Sequence, residues 1–335
     1  SECNFRCKHC YASAGKKLPD ELNHEEALDL VDEFGRTGIF RLFVAGGEPL
    51  MREGLWDILK RTSELGIPTV MNTNGYFIDE KMAKKLSQSK LDVVSISLDG
   101  SVPATHEDFR GMKGAFERAV NAVTLLNEYG ANATVGCVLH RGNYSEIPDL
   151  IDLCIECGAK LLNILRLAPV GRAALSDEFS LTFAMYEEVI QYLEQNLTEL
   201  KDKITLISND PIVSTWLRIQ QSKKEANEKK RSNGHFCQAA SFSGYIQANG
   251  DGFPCGYFPV LLGNIRNSSL KSIWANSEAE RIRTMARQLP LECNECEYLS
   301  SCHGGCRGVC YTLYQSTSAR DPVCFKEFQK EREIL

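Results

Sequence analysis

Apolar residues in the first half of the chain follow two alternating rhythms. A helical spacing runs through residues 23–37, where Ala27, Leu28, Leu30, Val31 and Phe34 form one stripe. Asn23 is placed to cap that helix, and Glu26 three residues on completes a capping box. Helices are expected likewise over 54–66, 79–89, 115–129 and 145–157. Gly66, Gly130 and Gly158 stand where a helix end favours glycine. Between them, short apolar runs over 41–45, 69–72, 91–98, 132–139 and 160–167 read as strands. Strand, helix, strand at intervals of ~25–40 residues is the rhythm of βα units on a parallel sheet.

The rhythm then changes. Residues 176–235 carry two helical stretches, 181–200 and 211–230, and little strand signal, so a helical linker is expected there. The run 223–231 holds five basic residues and two acids. Its simplest reading is a solvated helix end, and guidance of an acidic partner is the alternative. From 236 to 335 the pattern is dominated by cysteine. Gly244–Gly252 reads as a hairpin, with a short second strand ending near Cys255.

Composition narrows the class. The chain has 335 residues, 43% apolar and 24% charged, enough for one large domain and a smaller one. A net charge of −6 excludes nucleic-acid binding by bulk electrostatics. No apolar run reaches the ~20 residues that span a bilayer, and no signal-peptide pattern is present. Fourteen cysteines at short metal-ligand spacings favour clusters in a reducing cytoplasm over disulfides.

Cys3, Cys7 and Cys10 are separated by three and then two residues. Three soft thiolates on one loop can hold three irons of a four-iron cube and leave the fourth open. A zinc site completed by His9 is the competing reading of this stretch alone. Gly46-Gly47-Glu48-Pro49 closes the first strand; glycines there let a ligand approach the backbone, and Glu48 offers a carboxylate to an ammonium group. Asn74 and the pair Ser97 and Asp99 end the second and third strands. Arg166 and Arg172 flank the end of the last one and suit either a substrate carboxylate or a structural ion pair. Cys137, Cys154 and Cys157 read as buried core thiols.

The spacing C-x3-C-x2-C, the GGEP element, Thr73-Asn74-Gly75 and Ser95–Gly100 together resemble the radical S-adenosylmethionine (SAM) enzymes. His9 departs from the pattern, since an aromatic residue usually precedes the third cysteine. From Cys237 on, the array C-x12-G-x4-C, then C-x2-C-x5-C-x3-C, then a last Cys324 resembles the SPASM extension of that family. The resemblance implies an α/β fold: a partial (β/α)6 TIM-like barrel over 1–175 and a cysteine-rich SPASM domain over 236–335. With five strands legible, a sixth is expected ahead of Ser1. Three [4Fe–4S] clusters are implied: a SAM-cleaving one on the catalytic triad Cys3, Cys7 and Cys10, one on Cys293, Cys296, Cys302 and Cys324, and one on Cys237, Cys255 and Cys306. Gly46, Gly47, Glu48, Pro49, Asn74, Ser97 and Asp99 are the implied SAM contacts.

The implied activity is reductive cleavage of SAM to a 5′-deoxyadenosyl radical, which takes a hydrogen from the substrate. A ribosomal peptide or protein side chain is the expected substrate, with a tetrapyrrole side chain as runner-up. Flavodoxin or ferredoxin is the expected electron donor. A non-enzymatic cluster protein, the remaining class, has no use for the GGEP loop. Gly256 stands where sulfatase-maturing members carry an Asp, which argues against sulfatase maturation. Cys310, one helical turn after Cys306, either closes the three-cysteine site or packs in the core.

Overall fold

The computed structural model describes residues 1–175, 177–224 and 237–334. Six strands form one parallel sheet in the order of the chain. They are β1 (Leu42–Val44), β2 (Thr69–Thr73), β3 (Val93–Ser97), β4 (Ala133–Leu139), β5 (Leu161–Arg166) and β6 (Thr205–Ser208). Sequential parallel strands with helical crossovers wind in one direction, as in a barrel. The helices are α1 (His24–Thr37), α2 (Leu55–Glu64), α3 (Glu80–Gln88), α4 (Pro103–Arg110), α5 (Ala115–Glu128), α6 (Ile147–Glu156), α7 (Phe183–Leu200) and α8 (Pro211–Lys224). The capping box foreseen at α1 is present, with Asn23 and Glu26 bonded reciprocally.

Two features correct the sequence reading. The sixth strand seen is Thr205–Ser208, inside the stretch expected to be a helical linker. Its apolar signal is thin: Thr205 and Ser208 bound two apolar residues, and Leu206 is the only one buried. The helices around it are no detached linker either: Tyr186, Val189, Ile190 and Trp216 belong to the main core. Most of the charged run 223–231 lies outside the described residues.

Register explains the two faces of the sheet. Met71, Val94 and Ala133 share one layer, and Thr73, Ile96, Val135 and Leu162 the next; these pack beneath the helices. The other face alternates with them. It carries Asn72, Ser95 and Thr134 in one layer and Ser97, Gly136, Asn163 and Ile207 in another. The concave face is therefore polar where β2, β3 and β4 meet. Toward β5 and β6 it is mixed: Leu165 lies beside Val138, and Asn163 beside Ile207, which is 42% exposed.

The cysteine-rich part adds a small antiparallel sheet of β7 (Tyr245–Ile246), β8 (Asp251–Phe253) and β9 (Gly263–Asn264). Five short helices follow: α9 (Leu270–Ala275), α10 (Ser277–Arg287), α11 (Leu299–Cys302), α12 (Arg307–Tyr314) and α13 (Phe325–Arg332). The last of them returns to the barrel: Phe328 packs edge-on against Phe183 and Tyr186 of α7. Among the described residues no helix is long and apolar enough to cross a membrane.

Candidate active site

The loop bearing Cys3, Cys7 and Cys10 lies over the C-terminal strand ends and is tied down by backbone bonds from several directions. Cys3 N–H donates to Gly15 at 3.0 Å, Lys8 N–H to Phe109 at 2.9 Å and Arg172 N–H to Cys10 at 3.1 Å. The Arg172 side chain donates to the carbonyls of Cys7 (2.7 Å) and Ala14 (2.8 Å). Gly171 approaches so closely that a Cβ there would sit 2.4 Å from the carbonyl oxygens of Cys10 and Tyr11. On the far side Gly47 meets Glu2, whose oxygen would lie 1.9 Å from a Cβ at 47. His9 stacks on Phe109 with centroids 4.0 Å apart and 9° between planes, so its imidazole fills the aromatic's place.

The donor set fits an iron–sulfur cluster. All three thiols are free, and each sulfur faces an N–H: Phe5 amide to Cys3 (3.4 Å), Ala14 amide to Cys10 (3.3 Å) and Arg110 Nη1 to Cys7 (3.9 Å). N–H groups aimed at sulfur favour the thiolate that iron requires.

Several residues expected to touch SAM hydrogen-bond the strand ends and loops around them. Glu48 is 3% exposed; it accepts from Thr73 Oγ1 at 2.6 Å, the Asn74 amide at 2.9 Å and the Leu50 amide at 3.2 Å. Burial raises its carboxyl above the usual range, and those three bonds oppose the shift. Asn74 is buried too, and its side chain donates to Asn4 of the cysteine loop at 2.9 Å. Asp99 has no exposed surface. One of its oxygens accepts from Arg110 Nε at 2.5 Å and the other from the Val138 amide at 2.7 Å. Burial would raise Asp99, but Arg110, with His9 and His106, outweighs it and holds the carboxyl low. Pro49 is buried at the start of a 3-10 turn. Gly46 (φ +120°) faces open space, and Ser97 is half-buried on the concave face. Of the expected contacts, then, Gly46 faces open space, Gly47 packs on Glu2 and Ser97 is half-buried, while Glu48, Asn74 and Asp99 are buried and hydrogen-bonded within the protein.

Arg166 resolves as a structural ion pair, bidentate to Asp321 at 2.6 and 2.8 Å. Cys137, Cys154 and Cys157 are core thiols, as expected.

Seven of the eight cysteines from Cys237 on fall into two groups. Cys293, Cys296, Cys302 and Cys324 line one small cavity of about 20 Å³. Burial raises the Cys293 thiol, Arg307 opposes, and Cys302, Cys296 and Cys324 raise it further. In the second set burial pushes Cys255 up to about 12, with Cys306 and Cys237 adding to it. Cys310 is fully buried in α12, its amide bonded to the Cys306 carbonyl at 3.1 Å. Between the two ends of the molecule stands Tyr11. Its ring lies 5.9 Å from Tyr245 and 6.3 Å from Tyr257, and a Cβ at Gly256 would be 3.4 Å from it.

Comparison with known proteins agrees with this geometry. Residues 1–154 match the sequence model of the Radical SAM superfamily, and residues 237–297 that of the SPASM iron–sulfur cluster-binding domain. The AdoMet-dependent heme synthase of Methanosarcina barkeri is 31% identical over 331 residues, covering 96% of this chain and 93% of its own. The chain belongs to the radical SAM superfamily and carries a SPASM domain. Mycofactocin maturase MftC of Mycolicibacterium smegmatis is 28% identical, covering 96% of this chain and 80% of its own. The SAM-bound crystal structure of Streptococcus suis SuiB superposes with a TM-score of 0.75 at 21% identity, over 96% of this chain and 74% of that one. Relatives named as synthases and maturases make this radical SAM protein an enzyme.

Arg172, read as a substrate clamp or an ion pair, instead donates to the backbone carbonyls of Cys7 and Ala14, and Arg110 and Tyr11 were not singled out as site residues. Arg110 lies eleven positions after Asp99 on α4, itself unforeseen, and no spacing rule links the two.

Proposed function

We propose that this radical SAM enzyme removes a hydrogen atom from a side chain of a tetrapyrrole. The end-to-end likeness to AdoMet-dependent heme synthases, spanning barrel and cysteine array alike, carries the reading. The concave face supports it. A polar half, with Ser97 and the backbone of Gly46 and Gly47, suits SAM. A less polar side, with Val138, Leu165 and Ile207, suits a flat macrocycle.

When bound, the cluster on Cys3, Cys7 and Cys10 supplies the electron that cleaves SAM to the 5′-deoxyadenosyl radical. Cys293, Cys296, Cys302 and Cys324 would hold a second [4Fe–4S] cluster, and Cys237, Cys255 and Cys306 a third. The last of these, the near set of Cys237, Cys255 and Cys306, has Tyr257 packed beside Cys306 and would pass on the one electron that the substrate radical gives up. Gly256 leaves no carboxylate base at that position, and Tyr11 fills the space. Fourteen free thiols support a reducing cytoplasm, with flavodoxin or ferredoxin as electron donor.

The test is anaerobic turnover of the loaded protein with SAM, dithionite and an iron porphyrin bearing propionate side chains. A mass change on the porphyrin, matched by 5′-deoxyadenosine, is expected. An unchanged porphyrin, with modification of a precursor peptide instead, would move the assignment to the peptide class, which the likeness to a maturase supports.

A further inference from the structure

Arg110 ends α4 and carries its charge into the protein with only 9% of its surface exposed. It is gripped on one side and directed on the other. Nε donates to Asp99 Oδ2 at 2.5 Å, and Nη1 points at Cys7 Sγ from 3.9 Å. Asp99 cannot turn away. Its other oxygen is held by the Val138 amide at 2.7 Å, and its own amide donates to His106 Nδ1 at 3.0 Å. His9 Nε2 stands 3.9 Å from the same Asp99 oxygen that Arg110 uses. A buried guanidinium is therefore fixed against one ligand sulfur of the triad, while Cys3 and Cys10 each accept from a neutral backbone amide.

We infer that Arg110, positioned by Asp99, sets the reduction potential of the cluster carried by Cys3, Cys7 and Cys10. Reduction places one electron, from a low-potential donor, on that cluster and moves no proton. The added negative charge is stabilised by a nearby cation that water does not screen, and hydrogen bonds to the sulfurs act in the same direction. Cluster potentials respond to such outer-sphere groups. The inference rests on the assignment of the triad, not on the identity of the substrate.

A redox titration of the holoenzyme tests it. The EPR signal of the reduced cluster that changes when SAM is added identifies the cluster to follow. Arg110→Gln should lower the reduced-to-oxidised ratio at fixed poise about tenfold, a 59 mV fall for a one-electron couple. Arg110→Lys keeps the charge and should shift the ratio less than about threefold. The double variant Arg110→Gln with Asp99→Asn leaves no buried charge unpaired and should shift in the same direction as Arg110→Gln. The two auxiliary clusters should keep their potentials in every variant. An unchanged midpoint in both uncharged variants, with iron retained, would overturn the inference. So would loss of the first cluster from both, which would make Arg110 a brace for the loop and nothing more.

Discussion

Breaking the Arg166–Asp321 pair should cost more than any exposed ion pair in the molecule. Both side chains are 4% exposed, and the two hydrogen bonds measure 2.6 and 2.8 Å. Asp321 also accepts from the amides of Cys306 at 2.7 Å and Val323 at 2.9 Å. The pair thus joins the end of β5 to the segment that presents Cys306. Removing one partner strands a buried charge, a loss of about 3–5 kcal/mol for Arg166→Met or Asp321→Asn alone. Independent effects would sum to about 6–10 kcal/mol in the double variant. The double variant leaves no unpaired charge, so it should lose only the weakened amide bonds, about 1 kcal/mol each. Denaturant unfolding of the anaerobically loaded protein, followed by tryptophan fluorescence, measures all four corners of the cycle; Trp216 reports from the core. Each single variant should also lose iron from the near set. Single losses below about 1 kcal/mol, adding without coupling in the double variant, would refute the reasoning.

Other consequences are as direct. Gly171→Ala should abolish loading of the first cluster and spare the other two, because the new methyl would overlap the Cys10 and Tyr11 carbonyls; iron counting and EPR check this. Cys310→Ala should leave iron and spectra unchanged if the near site keeps an open iron, and a lost cluster signal would make Cys310 a ligand. Burial, chiefly, lowers the imidazoles of His106 and His140 from 6.5 to about 4. Between those values the unfolded chain holds more protons, so their contribution is complete above pH 6.5 and falls toward pH 4. The slope is at most about 1.4 kcal/mol per pH unit for each ring. His106→Asn and His140→Asn keep an acceptor near Nδ1 and should flatten that dependence in denaturation curves at several pH values.

The barrel was legible because its helices show their period, its strands fall in apolar runs, and glycines and a capping box mark the ends. β6 escaped because Thr205 and Ser208 bound its two apolar residues, whereas the shorter β1 lies in the unbroken apolar run Leu42–Ala45. The short helices after Cys237 escaped because cysteine spacing, not an apolar stripe, shapes that region. The site divided along another line. Candidate cysteine ligands are legible from spacing, since a cluster imposes it. The hydrogen-bond partners of Glu48, Asn74 and Asp99 are not, because no spacing rule links these residues to Thr73, Asn4 and Arg110. Arg166 was equally ambiguous until Asp321, 155 residues away, came beside it.

The central claim, that Cys3, Cys7 and Cys10 carry the cluster that cleaves SAM, is tested most directly by 5′-deoxyadenosine release. The reconstituted protein, reduced with dithionite under anaerobic conditions, should contain roughly twelve irons and release 5′-deoxyadenosine. Replacing all three cysteines with Ala should remove about a third of the iron and all of the release. A fully loaded wild-type protein that releases none, or a triple variant that still does, would contradict the account.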